Sequence, residues 1–295
     1  MGKPVATLAN MRWPEVDRRP RRVLVVPVGS LEQHGPHLPL DTDTRIAVAV
    51  ARRACAGRGG VALAPAIAIG ASGEHAGFPG TLSVGTAALE ECVVELGRHA
   101  SLHWQAMLLV NGHGGNAEAL AVASTRLADE GRACQVWHAG LPGGDAHAGR
   151  SETSIMLALA PQAVRMGTAA PGCRVPIDQL MPALRTGGVR AVSPNGVLGD
   201  PRGASAAEGQ RLLAGLTAGL SETLQCLLTE TSADNPCRTV SAPGMGTSAD
   251  CHEGDSRACG ATRPIAAAGL PQREARKSVG GCGPGSRLRR DFCHR

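Results

Sequence analysis

The sequence predicts an α/β domain built on a mainly parallel sheet, and three observations carry that prediction. Short apolar, β-branched runs alternate with segments of helical periodicity. Strands separated by helices imply parallel pairing through right-handed crossovers. Three of the runs also end in Gly-rich loops that hold histidine. In a parallel sheet such loops leave by one edge, which is where open α/β sheets place their active sites.

Val23 to Val28 has the length and composition of a buried strand. Beyond it stand Glu32, His34, His37, Asp41 and Asp43, with Gly35, Pro36 and Pro39 interrupting any regular structure. A solvated acidic turn accounts for one or two of these side chains but not for all five. Imidazole mixed with carboxylate is a donor set for divalent metals. Asp43 or Thr44 caps a helix over Arg45 to Cys55. Gly57 to Gly60 turn the chain into a second strand, Val61 to Ile69. The segment GASGEHAGFPGTLSVG, Gly70 to Gly85, is too rich in Gly and Pro for regular structure and reads as a functional loop. Thr86 to His103 is helical, Ala106 to Val110 is a short buried strand, and NGHGGN follows at Asn111 to Asn116. A helix over Ala117 to Gly131, a strand over Cys134 to Trp137 and a helix over Ser151 to Leu159 complete the alternation. Pro171 to Asp200 reads as irregular surface chain, and Ala204 to Thr229 as a long amphipathic helix that closes the domain.

From about Thr231 the pattern stops. Residues 1–230 form the predicted domain, and 231–295, dense in Gly, Pro, Ser and Arg without apolar periodicity, read as a disordered tail. The tail holds ten Lys or Arg against six Asp or Glu, so it carries most of the net +5. The remainder is nearly neutral, with neither a basic stripe nor an aromatic platform, which argues against a nucleic-acid partner. No apolar run reaches the roughly 18 residues of a membrane span, and no secretory signal opens the chain, so a soluble, cytoplasmic protein without a membrane partner is expected. Of ten cysteines, Cys55, Cys92, Cys134, Cys173 and Cys226 sit singly in periodic segments as small core residues, and no CxxC pair occurs. Cys251, His252 and Cys259 lack the spacing of a metal site.

Glu32 and His34 are two apart and share a direction in an extended segment. His113 lies among glycines that let backbone approach a ligand closely. NGHGGN lacks both the GxGxxG order and the lysine of a phosphate-binding loop. Glu152, taken alone, reads as a favourable charge at a helix N-terminus. His147 precedes it in a loop, free to meet a substrate, with an ordinary pKa near 6.5 for proton transfer. His37, Glu74 and His75 are second-tier candidates for substrate contact or ligand support. Phe78 and Trp137 either wall a pocket or fill the core.

Taken together, PVGSLEQHGPHLPLDTD, EHAGFPGTLS, NGHGGN and HAGRSETS, in this order, resemble the creatininase family of metal-dependent amidohydrolases from about Val23 to about Leu227. The resemblance implies a three-layer α/β/α fold, two divalent metal ions per chain (zinc, iron(II) or manganese) and a homo-oligomer. It implies Glu32, His34, Asp43 and His113 as metal ligands, with Asp43 bridging. Creatininases themselves place a further Glu ligand two residues after the histidine of NGH; here that position is Gly115, and members with NGHGGN draw the ligand from the ETS segment, here Glu152. Within the family the sequence most resembles the peptidases of the mycofactocin system, which release a C-terminal Val-Tyr dipeptide from a modified precursor peptide. The implied chemistry is attack by a hydroxide shared between two cations about 3.5–4 Å apart, with His147 delivering a proton to the leaving amine. Two other functions stand beside it: an amidohydrolase of a small cyclic amide or formamide, and a metal-dependent binding protein without turnover.

Overall fold

A computed structural model of the chain describes residues 5–231 apart from residue 142; the tail predicted for 231–295 lies, beyond Thr231, outside the described residues. Four strands form one parallel sheet: β1 (Val23–Val28), β2 (Val61–Leu63), β3 (Ala106–Asn111) and β4 (Cys134–His138), in the order β2-β1-β3-β4. Seven α-helices accompany them among the described residues: α1 (Trp13–Asp17), α2 (Thr42–Cys55), α3 (Thr86–Ala100), α4 (Ala117–Asp129), α5 (Arg150–Leu159), α6 (Ile177–Val192) and α7 (Ala206–Glu230).

The three layers follow from the two-residue period of β1, whose six residues are all buried. Val23 and Val25 pack with Ile46 and Val50 of α2, Ile155 of α5 and Leu213, Leu220 and Leu224 of α7. Leu24, Val26 and Val28 face the other way, onto Leu89 and Val93 of α3 and Leu120 and Leu127 of α4. The chain runs from β1 out to β2, then doubles back across β1 to β3 and β4. Right-handed crossovers therefore put α2 on one face and α3 and α4 on the other. Strand order reverses between β1 and β3, and their carboxyl ends open a crevice at the topological switch point. Helix α7 is long enough to cross a bilayer. Its Leu213, Leu216, Leu220, Leu224 and Leu227 are nonetheless buried, and it packs on α2 and α5 as a cover of the core.

The predicted elements hold at β1, β3, β4, α4, α5 and α7, with ends shifted by a residue or two. Four differ. The second strand stops at Leu63 because Pro65 has no N–H for the ladder; Ile67 rejoins β1 through a single bridge to Val28. Helix α2 begins at Thr42, so Asp43 is inside its first turn and caps nothing. Helix α3 ends at Ala100, short of the predicted His103. The stretch from Pro171 to Asp200 holds α6, whose Pro182 and Gly188 disguise it; at Gly188 (φ 67°) the helix is kinked.

Candidate metal centre

Three loops at the carboxyl edge of the sheet build the site. β1 leads into Glu32 and His34, β3 leads into His113, and the segment after β4 leads to His147 and to Glu152 in the first turn of α5. Asp43 reaches the centre because α2 starts hard against both strand ends. A Cβ on Gly29 would lie 2.5 Å from the Thr44 Cα, and one on Gly112 would lie 2.6 Å from the Asp43 carbonyl oxygen. Only glycine permits that approach. Asn116, fully buried, ties the loops together: its amide donates to the Gly29 carbonyl at 2.9 Å, and its oxygen accepts from the Ala71 N–H at 2.8 Å.

All five residues expected as ligands converge. Three groups form: Glu32, Asp43 and His113; His34, Asp43 and Glu152; and Glu32, His34 and His147. Within each group one donor atom per residue lies within 4.8 Å of the others. Asp43 belongs to the first two and turns a different oxygen to the histidine of each. Its Oδ1 is 3.0 Å from His34 Nε2, and its Oδ2 is 3.2 Å from His113 Nδ1 and accepts from Ser30 Oγ at 2.7 Å. Both rings are anchored from behind by main-chain carbonyls, His34 Nδ1 at 3.1 Å from Glu32 O and His113 Nε2 at 3.1 Å from Ala71 O. Histidine ligands of metals are held in this way, with the far N–H donated to a carbonyl so that the near nitrogen's lone pair faces the ion.

The donor set fits divalent cations on a second ground. Glu32 is 0% exposed, yet neither of its oxygens has a hydrogen-bond partner. His113 Nε2 and His75 Nε2 approach them to 3.1 and 3.3 Å, within ion-pair distance but without an N–H aimed at either oxygen. A buried, orphaned carboxylate is costly unless a cation completes it. The titration of the cluster says the same. Burial pushes the His34 pKa down, but the charge and hydrogen bond of Asp43 outweigh it and raise the group to about 10. Burial likewise opposes protonation of His113, and Asp43 and Glu32 raise it well above the usual histidine range. Burial raises Glu152 to about 7, with Asp43 and Glu32 adding to it against His34. Protons collect where positive charge is required.

The second-tier residues also arrive. His75 is buried with its ring centroid 4.5 Å from that of His147. Glu74 places Oε1 3.3 Å from His113 Nε2, and that contact holds its carboxyl below the usual range despite burial. His37 donates or accepts at Thr153 Oγ1 (2.8 Å); burial and His34 lower its pKa to about 4. His147 departs from expectation: it is 7% exposed, and burial, with His34 and His75 nearby, lowers it well below the ordinary 6.5. It is a neutral ring fixed inside the cluster and not a loop side chain free to move. Trp137 packs against the core beneath α7, and Phe78 joins Leu180, Val189 and Leu198 under α6, with the Arg190 guanidinium 5.3 Å from its ring centre. Sequence reasoning missed Gln33, Ser30, Asn116 and Ala148, whose N–H donates to Glu152 Oε2 at 2.6 Å. Only their places inside the four motifs marked them.

A parallel α/β/α sandwich that gathers buried carboxylates and imidazoles at its switch point is a scaffold for metal-dependent hydrolysis. The creatinine amidohydrolase family profile matches residues 9–224, and the chain belongs to the creatininase family. It is 51% identical over 208 residues to the mycofactocin precursor peptide peptidase of Mycolicibacterium smegmatis, covering 69% of this chain and 84% of that protein. The protein of the same description from Mycobacterium ulcerans is 46% identical over 222 residues, covering 72% and 86%. The creatinine amidohydrolase of Pseudomonas putida is 28% identical over 258 residues, covering 74% and 95%. Among solved structures, a manganese creatininase superposes with a TM-score of 0.61 at 26% identity, covering 75% of this chain and 98% of that one. A mutant creatininase of the Zn–Zn type gives 0.62 at 26%, covering 75% and 97%.

Proposed function

We propose that this chain is a dinuclear metal-dependent peptidase that releases a C-terminal Val-Tyr dipeptide from a modified mycofactocin precursor peptide. The observation that carries the reading is the 46–51% identity to proteins named as peptidases of that precursor, against 28% to a creatinine amidohydrolase. The site favours the same side. At Gly115 a Cβ would lie 2.4 Å from the Ala71 carbonyl oxygen, Glu74 Oε1 and His113 Nε2, so this position has no room for the creatininase glutamate. Glu152, in the first turn of α5, would supply that carboxylate instead.

Glu32, Asp43 and His113 would hold one divalent cation and His34, Asp43 and Glu152 the other; zinc, iron(II) and manganese all accept this donor set. Bound cations supply Lewis acidity that polarises the scissile carbonyl and eases deprotonation of water. The protein does the rest. Ser30 and the two anchored rings fix Asp43 between the groups. Burial of His34, Asp43, Glu32 and His147 excludes bulk water and strengthens every charge interaction in the site. Glu74 and Glu152 keep 32% and 19% of their side-chain surface, so the peptide approaches from their side. His147 presents Nδ1 to the centre, 3.7 Å from Glu32 Oε1. As a neutral ring it takes a proton from the attacking water and passes it to the leaving amine. Assembly as a cytoplasmic homo-oligomer completes the proposal.

The test incubates the metal-loaded chain with a precursor peptide ending in Val-Tyr, with creatinine and with a formamide. Mass spectrometry should show the free dipeptide and no turnover of the other two. Creatinine or formamide hydrolysis without dipeptide release would overturn the substrate assignment, and no turnover of any of them would overturn the enzyme.

A further inference from the structure

Arg190 stands on the substrate side of the centre without a counter-ion. It is exposed in the last turn of α6, and among the described residues no carboxylate lies within ion-pair distance of it. Elsewhere Arg98, Arg126, Arg150 and Arg202 each meet a carboxylate. The Arg190 guanidinium is nonetheless held. Its Nη1 donates to the Gly77 carbonyl at 2.6 Å, and its carbon lies 5.3 Å above the centre of the Phe78 ring. The stem packs on Gly77, where an added Cβ would come within 3.2 Å of the arginine's own. One bond to Gly77 leaves the rest of the five-donor fork open to an anion.

Its anchor belongs to the loop that borders the centre. Gly77 is three residues past Glu74 and two past His75, whose side chains come within 3.3 Å of His113 and Glu32 respectively. The kink of α6 at Gly188 sets the placement. Glycine lets the helix lie against the Glu74 carbonyl, Val189 then enters the cluster with Phe78, and Arg190 lies over that ring. Two residues span at most about 7 Å, so the Gly77 Cα is no farther than that from the Cα of His75. A leaving dipeptide has the same dimension: its terminal carboxylate carbon sits about 7 Å beyond the scissile carbonyl carbon.

We propose that Arg190 is a specificity-determining residue that receives the C-terminal carboxylate of the peptide substrate, holding the leaving dipeptide along residues 74–77. A planar guanidinium pairs with a carboxylate through two parallel N–H···O bonds, and one already fixed in place loses little freedom on binding. Recognition by Arg190 rests on the peptidase reading and adds to it a cation for the free end of the chain. It also sets the direction of the peptide, with the leaving group beside Glu74 and the acyl portion beside Glu152, both partly exposed. One residue more after the scissile bond would carry the carboxylate about 3.5 Å past the fork, so the arginine selects a leaving group of two residues.

The zinc-loaded full chain is assayed on two precursor peptides, one ending in Val-Tyr and one in Val-Tyr amide, which lacks the terminal charge. The native chain should prefer the free acid by about 10–100-fold in kcat/KM, the factor for one charge-assisted pair. Arg190→Gln should lose that preference by slowing the acid, and Arg190→Lys, which keeps the charge, should restore part of it. Arg185→Gln, exposed on the same helix, should leave the ratio unchanged. The ratio is insensitive to loss of folded enzyme, since both substrates would then slow together. Equal turnover of acid and amide by the native chain overturns the role of Arg190 and leaves the peptidase reading standing. So does an acid preference that survives Arg190→Gln, or one that falls equally in Arg185→Gln. Turnover of neither peptide by the native chain refutes the peptidase reading, and the role of Arg190 with it.

Discussion

Asp43→Asn is the sharpest test of the centre, because Asp43 is the carboxylate that the two proposed cation sites share. Asparagine keeps the shape and loses the charge. Three contacts depend on that charge: His34 at 3.0 Å, His113 at 3.2 Å and the Ser30 hydroxyl at 2.7 Å. Hydrogen bonds to charged groups contribute about 1.5–3 kcal/mol each, so simple addition would overshoot. The two histidines can shed their protons once the counter-charge is gone, and the asparagine oxygen still accepts from Ser30. The cost to the metal-stripped chain is then that of breaking one buried ion pair, about 3–5 kcal/mol. Urea unfolding of the stripped protein at pH 7 measures it. The metal effect is larger, since both groups lose a ligand at once. Elemental analysis after gel filtration should fall from the two ions per chain of the proposed dinuclear centre to fewer than one. A variant that keeps two ions per chain would refute the shared-ligand arrangement whatever its stability.

Other perturbations separate the remaining residues. Glu152→Gln removes a ligand from one group only, so one ion per chain should remain by the same analysis, bound at Glu32, Asp43 and His113. His147→Ala should keep both ions and lose about 10²–10⁴-fold in kcat on the Val-Tyr peptide; loss of an ion would make it a ligand instead. In the metal-stripped chain the His34 pKa is about 10 against an ordinary 6.5, so the native state binds the extra proton. Its stabilisation is complete below about pH 6.5 and is lost as pH rises through about 10, which unfolding midpoints across that range would show. Zinc must displace that proton, so calorimetry at pH 8 in buffers of different ionisation heat should detect proton release on binding. Gly115→Ala drives a Cβ to 2.4 Å from the Ala71 carbonyl, a main-chain atom that cannot swing aside. Thermal unfolding should report about 1–3 kcal/mol of destabilisation, the usual cost of overpacking.

The parallel sheet and the crowd of carboxylates and imidazoles after β1 were legible because local pattern and chemistry coincide there, whereas Glu152, which alone reads as a helix-terminal charge, joined the candidate ligands only through the family resemblance. Val23 to Val28 is apolar throughout, and carboxylates and imidazoles follow at once. What stayed hidden depends on partners distant in the chain. Helix α6 contains Pro182 and Gly188, which local rules assign to irregular chain; packing decides otherwise, with Gly188 pressed 2.6 Å (as a Cβ) from the Glu74 carbonyl. The burial of His147 is equally non-local. Its Gly-rich surroundings read as a mobile loop, but Leu198, fifty-odd positions on, pairs with it as an isolated bridge and closes the segment over the centre. Gln33 was not singled out because nothing in the sequence says that Gly196 will face it.

Topology also accounts for how the proposed ligand set could differ from that of a creatininase on the same fold. In a parallel sheet the loops after β1, β3 and β4 all empty onto one edge, so a carboxylate lost from one can be supplied by another at little structural cost. Position 115 follows β3 and lies against His113, while Glu152 follows β4 and lies 4.0 Å from His34; Asp43 contacts both of those rings. In this chain the space beside His113 is taken by Glu74, with Oε1 where a side chain at 115 would begin. Glu74 belongs to the partly exposed loop on the side from which substrate arrives. A double exchange, Gly115→Glu with Glu74→Gly, should therefore keep metal binding while changing which amides are turned over. Loss of metal in that exchange, with Glu152 intact, would show that the two positions are not interchangeable in space and that the centre depends on Glu74 directly.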